Sequence, residues 1–90
     1  MTTPKTTKLA AMVSDERARL GLSHRELANL MCAAAQAKNP AFDHEGISDR
    51  TLKRIEEGEK RALHHRTARA IAAYFVVSPQ HILDLNDEEE

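Results

Sequence analysis

Three basic side chains lie within five residues of one another in the segment from Ser48 to Gly58. They are Arg50, Lys53 and Arg54. A guanidinium can donate two parallel hydrogen bonds to the edge of a guanine, and either cation can neutralise a phosphate. The segment therefore carries the side chains with which a protein reads the major groove of DNA. The alternative interpretation is an ordinary solvated helix face.

The same segment has the signals of a short helix. Ser48 is suited to the N-cap, Asp49 suits the positive end of the helix dipole, and Gly58 can end the helix in a left-handed conformation. Leu52 and Ile55 are three residues apart, so they share one face and predict a buried side. The basic residues then project from the other sides.

Four further helices are predicted around this segment from apolar periodicity and capping residues. Gly21 ends the first, Ser23 and Glu26 form a capping box for the second, and Ser78-Pro79 begins the last. The predicted ranges are Thr6 or Thr7 to about Leu20, Ser23 to Lys38, about Leu63 or His64 to Phe75, and Pro79 to about Leu85. The Asn39-Pro40 pair stops the second helix, and an irregular loop from Ala41 to Glu45 follows.

The composition predicts one all-α, five-helix domain. Ninety residues suffice for a single modest core, aromatic residues are only 3% of the chain, and alanine is abundant. We expect residues 6–85 to form the ordered core and residues 1–5 and 86–90 to be flexible tails.

The charge of the chain is unevenly distributed. The formal net charge is −1, from 13 Lys and Arg against 14 Asp and Glu. Between Ser48 and Arg69, however, seven basic residues face four acidic ones, whereas five of the seven residues from Asp84 to Glu90 are acidic. A basic middle can attract a polyanion even when the total charge is close to zero.

Several classes of function are disfavoured by what the sequence lacks. The sequence has no grouping of Ser, His and an acid and no glycine-rich phosphate loop, which are typical of enzymes. We therefore expect no enzymatic activity, no cofactor and no small-molecule ligand. The five histidines and Cys32 lack the short spacing of metal ligands. No apolar run could span a bilayer, Met1 to Ala10 is not a signal peptide, and the lone cysteine fits a reducing compartment. We therefore expect a soluble, cytoplasmic protein.

Five stretches together resemble the Cro/CI, or XRE-type, helix-turn-helix family. They are Arg17, Gly21-Leu22-Ser23, Glu26-Leu27-Ala28, the run from Ile47 to Gly58 ending in Ile-Glu-Glu-Gly, and the run from Ile71 to Ser78. The resemblance spans about Leu9 to Leu83. It implies a five-helix DNA-binding domain, with Ser23 to Lys38 as the supporting helix and Ser48 to Glu57 as the recognition helix.

The resemblance also implies roles for individual residues. Those expected at base edges are Asp49, Arg50 and Arg54. Those expected at phosphates are Ser23, His24, Thr51, Lys53, Lys60 and Arg61. Within the protein, it implies an ion pair between Arg17 and Glu56 that pins the recognition helix to the first helix, with Glu57 left in solvent.

The chain departs from the family pattern at three places. Leu63 and His64 stand where the family has a proline and a serine before the fourth helix. Residues Asn29 to Glu45 replace the usual short connection between the supporting and recognition helices. Val76 stands where the family has a glycine after the fourth helix, and a β-branched side chain is poorly suited to a left-handed residue.

Taken together, these observations predict a homodimeric transcriptional regulator of double-stranded DNA, acting as a repressor by steric occlusion. The competing prediction is a protein-interaction module, antitoxin-like or accessory, that uses the Asn29 to Glu45 insertion. The later part of the second helix, Cys32 to Lys38, belongs either to the core or to a subunit interface.

Overall fold

The computed structural model describes residues 7–42, 47–57 and 63–88. These residues form five α-helices and no β-strand, so the predicted all-α class and the number of helices are confirmed for this part of the chain. The helices are α1 (Lys8–Leu20), α2 (His24–Lys38), α3 (Asp49–Glu56), α4 (His65–Phe75) and α5 (Pro79–Asp87). None of them is both long and apolar enough to cross a membrane.

Each helix begins at a side-chain cap. The side chains that accept a hydrogen bond from the backbone N–H three residues later are Thr7, Ser23, Ser48 and Ser78. In the predicted capping box, the Glu26 carboxylate also accepts from the Ser23 N–H. At α4 the cap is His64, whose Nδ1 accepts from the Arg66 N–H at 3.2 Å. These bonds satisfy amides that the first turn of a helix leaves without partners.

The core is built from the apolar faces of all five helices. Its largest fully buried side chains are Leu9 and Val13 of α1; Leu27, Met31 and Cys32 of α2; Leu52 of α3; Ile71 of α4; and Ile82 of α5. Ile47, just before α3, is also buried in this core. Cys32 and Ala35 lie in this core, whereas Ala33, Gln36 and Ala37 of the same α2 segment are exposed. The α2 segment therefore has both a core face and a free face.

The end of α5 differs from the prediction. The helix continues to Asp87, two residues beyond the expected Leu85, and Glu88 caps it. The Glu88 carbonyl accepts from the Lys8 N–H at 2.9 Å, and its carboxylate lies 3.0 Å from Lys8 Nζ. Residues 86–88, expected in a flexible tail, thus belong to a helix end that contacts the start of α1. Distant polar contacts of this kind have no local sequence signal.

A second contact between distant helices was also absent from the sequence prediction. The hydroxyl of Tyr74 on α4 donates to Glu16 Oε2 on α1 at 2.5 Å, and Arg19 donates to the other carboxylate oxygen. The hydrogen bond from Tyr74, followed by that from Arg19, lowers the pKa of Glu16. Burial and the same hydrogen bond raise the pKa of Tyr74 to about 12.

Two helices end in the same left-handed geometry with different residues. Gly21 closes α1 at φ 66° and Val76 closes α4 at φ 59°. The N–H groups of Gly21 and Leu22 both donate to the Arg17 carbonyl. In the same way, the N–H groups of Val76 and Val77 both donate to the Ala72 carbonyl. Val76 is the one non-glycine residue with positive φ in the described ranges. The valine thus adopts a conformation that its branched Cβ disfavours.

Candidate nucleic-acid interface

The short α3 is held at its start by a network of local hydrogen bonds. Ser48 Oγ accepts from the Thr51 N–H at 3.2 Å and lies 2.9 Å from Thr51 Oγ1. Asp49 Oδ1 accepts from the Arg50 N–H at 2.9 Å, so a carboxylate stands at the positive end of the helix dipole. Isolated helices of eight residues are marginal in water, and these caps together with packing make this one stable.

The two sides of α3 have opposite character. Leu52 is fully buried and Ile55 is 8% exposed, which confirms the predicted inner face. The exposed side chains on the remaining surface are Asp49, Arg50, Lys53, Arg54 and Glu57. Only one side of the helix is therefore used for folding, and the other is free to meet a ligand.

The exposed face carries a cationic triplet, Arg50, Lys53 and Arg54. The spacing of three and four residues from Arg50 places all three side chains on neighbouring positions of the helix surface. No ion pair joins any of them to another residue in the described part of the chain. Three cations against the exposed Asp49 and Glu57 leave this exposed face with a net charge of +1, while the charge of Glu56 is turned inwards to Arg17.

The inner end of α3 is fixed by the Arg17–Glu56 pair implied by the resemblance. Arg17 Nε lies 2.8 Å from Glu56 Oε1, and Nη2 lies 3.0 Å from Oε2, so the guanidinium grips the carboxylate with two parallel bonds. A third guanidinium nitrogen donates to the Leu22 carbonyl at 3.2 Å. The pair therefore joins α3 to α1 and to the turn before α2.

His24 adds a third member to this pair. Its Nε2 lies 2.5 Å from Glu56 Oε2, in a site where the Glu56 side chain is only 11% exposed. The family resemblance implied a phosphate contact for His24, whereas in the structure its Nε2 contacts Glu56 of α3. We call Arg17, His24 and Glu56 the α3 clamp. It connects α1, α2 and α3 through one carboxylate.

The environment of Glu56 favours its ionised form. Burial is the largest single influence and would raise the pKa of Glu56, but the hydrogen bonds from Arg17 and His24 together outweigh it. The pKa of Glu56 is consequently lowered below its ordinary value, and that of Arg17 is raised by the same hydrogen bond. Glu56 and Arg17 thus both stay charged at neutral pH.

The remaining predicted site residues differ in how accessible they are. Ser23 and Thr51 use their hydroxyls within helix caps, and Thr51 is half-buried. Lys53 is exposed on α3. Lys60, Arg61 and the predicted helix-ending Gly58 lie outside the described residues. The structure therefore brings Asp49, Arg50, Lys53 and Arg54 together on one face and leaves the two hydroxyls in supporting roles.

The lengthened connection between α2 and α3 folds back on the domain in its described part. The N–H of Phe42 donates to the Asn39 carbonyl at 2.9 Å, and Gln36 Nε2 donates to the Phe42 carbonyl at 3.0 Å. The half-buried Phe42 ring packs against the core. The described part of the insertion thus lengthens α2 to Lys38 and holds Phe42 against the core.

Comparisons of the chain with protein-family models, with curated proteins and with solved structures gave no match.

Proposed function

We propose that the chain binds double-stranded DNA by placing the exposed face of α3 in the major groove. The observation that carries the proposal is the combination of the exposed cationic triplet with the clamp on the inner side of α3. With its side chains an α-helix is about 10–12 Å in diameter, which fits a major groove about 12 Å wide.

The contacts divide into two groups on this proposal. Arg50 and Arg54 donate to guanine edges, and Asp49 accepts from cytosine or orients a neighbouring arginine. Lys53, with Lys60 and Arg61 beyond α3, neutralises phosphates and so positions the domain without reading sequence. The clamp fixes the angle of α3, because a helix that presents side chains to base edges must not rotate on its own domain.

The form of action follows from the Cro/CI resemblance. Two copies of the chain bind half-sites about one helical turn apart, roughly 34–36 Å. Occupying such a site blocks polymerase, so we propose repression of transcription in the cytoplasm of a prokaryotic or phage-infected cell. The free face of α2, with Ala33 and Ala37 exposed, is one surface on which the second copy could pack.

A titration of random duplex DNA at two salt concentrations tests the proposal. Fluorescence anisotropy should show binding whose logarithmic affinity falls with log salt at a slope of about −0.9 for each phosphate neutralised. Selection from a random duplex pool should then return paired, two-fold related half-sites. Absence of salt-dependent binding would favour the competing function, a module that binds a protein partner.

A further inference from the structure

A groove about 540 Å³ in volume lies on the domain away from α3. Its walls come from the last turn of α2, the Asn39–Phe42 segment and α4, and it reaches the start of α5. The volume falls within the range of sites that bind ligands, roughly 300–1,000 Å³. None of the residues that line it belongs to α3, so the groove is separate from the proposed DNA surface.

The floor of the groove is apolar. Phe42 lines it from the segment after α2, and Ala72, Ala73 and Val77 line it from α4 and the turn that follows. The small alanine side chains leave space along α4, and the two hydrogen bonds that hold Phe42 fix one wall. One wall of the groove is therefore held in place before any ligand binds, which lowers the cost of binding an apolar side chain there.

The charged side chains that line the groove in the described residues are all cationic. Lys38 comes from the end of α2, and Arg66 and Arg69 are neighbours three residues apart on α4. Among the described residues that line the groove none is acidic, and none of the three cations forms an ion pair with another described residue. Opposing positive side chains above an apolar floor favour a ligand with carboxylates on both sides of an apolar anchor.

We propose that this groove binds a short acidic segment of a partner protein, with one large apolar side chain inserted between Phe42 and α4. The carboxylates of the segment pair with Arg66 and Arg69 on one side and with Lys38 on the other. A duplex fits the groove less well, because a phosphate backbone has nothing to gain from an apolar floor. The proposal does not depend on DNA binding by α3.

Selection from a pool of randomised decapeptides against the full chain tests the proposal. We expect recovered peptides to combine Asp or Glu with a central Leu, Ile, Phe or Met. Their binding should shift the NMR amide signals of Ala72, Ala73 and Val77 and leave those of Arg50 and Arg54 unchanged. Recovery of peptides without acidic residues, or signal shifts confined to α3, would overturn the proposal.

Charge reversal identifies the residues that bind the selected peptide. Arg66→Glu with Arg69→Glu should weaken it by about tenfold or more, since two charge-assisted hydrogen bonds are lost. Lys38→Glu changes a residue on α2 and should weaken peptide binding several-fold. This variant still tests the proposal if the α4 variant does not fold. Arg25→Glu is the matched control, because Arg25 is exposed on α2 and does not line the groove.

Two outcomes of these measurements contradict the proposal. One is an equal loss of affinity in Arg25→Glu, which would show that only net charge matters. The other is displacement of the peptide by a random 20-base-pair duplex that itself shifts the Ala73 and Val77 signals, which would assign the groove to phosphates. Retention of peptide binding by an α3 variant such as Arg54→Glu would keep the groove distinct from the DNA surface.

Discussion

At the scale of single residues, the domain depends on one carboxylate that three helices share. Glu56 satisfies the fork of Arg17 and the ring of His24 in a mostly enclosed site. Arginine suits this place because its planar guanidinium remains charged when partly buried and matches both carboxylate oxygens. Removing the carboxylate leaves two donors without their acceptor, which is more costly than losing an exposed ion pair.

We predict that Glu56→Gln lowers the free energy of unfolding by about 1–3 kcal/mol. A double-mutant cycle with Arg17→Met, followed by thermal or urea unfolding, should give a coupling energy clearly above zero. Glu57→Gln is the matched control, because that neighbouring acid is exposed. An equal loss from the control, or zero coupling between Arg17 and Glu56, would remove the clamp from this account.

At the scale of elements, the ends of α1 and α4 form a natural comparison. Gly21 and Val76 occupy the same left-handed position after their helices, but only glycine adopts it without strain. The Val76 residue is 82% exposed, so it gains little from packing in return.

We predict that Val76→Gly raises the free energy of unfolding by about 0.5–1 kcal/mol. Relief of the left-handed strain, roughly 1–2 kcal/mol, exceeds the added flexibility that glycine gives to the unfolded chain. Urea unfolding measures the difference. Val77→Gly is the control and should destabilise the domain, since Val77 is half-buried with an ordinary φ. A loss of stability in Val76→Gly would show that the valine side chain contributes more than its exposure indicates.

The elements were largely predictable because their signals are local. Ser23, Ser48 and Ser78 mark helix starts through bonds that span only three residues, and apolar spacing identified Leu52 and Ile55 as the buried face of α3. His24 with Glu56, and Glu16 with Tyr74, are separated by 32 and 58 residues and depend on how helices pack. No spacing rule detects such pairs. The groove was missed for the same reason, because α2 and α4 contribute to it jointly.

At the scale of the whole molecule, two carboxylates link stability to pH. The pKa values of Glu56 and Glu16 are both lowered in the folded domain. The unfolded chain therefore binds more protons in the acid range, so the stabilisation is fully present above the ordinary carboxyl pKa and is lost as pH falls through the lowered values.

We predict that the urea midpoint of the domain falls steadily as the pH is lowered from about 5 to 3. Glu56→Gln and Glu16→Gln should each reduce this slope, because each removes one group whose proton affinity changes on folding. Asp15→Asn is the control, since this neighbouring acid is exposed and has no ion-pair partner in the described residues. If the urea midpoint changed with pH equally in all three variants, groups other than Glu56 and Glu16 would cause the pH dependence of stability.

The proposed binding of α3 to DNA is tested most directly by the affinities of arginine variants for a selected duplex and for an unrelated duplex. We predict that Arg50→Ala and Arg54→Ala each lose about 1–3 kcal/mol on the selected duplex, with weaker discrimination at particular base pairs. Arg19→Ala, an exposed arginine on α1, should bind both duplexes nearly as the parent does. Equal losses on both duplexes, or no loss in the α3 variants, would contradict the assignment of α3 as the helix that reads DNA.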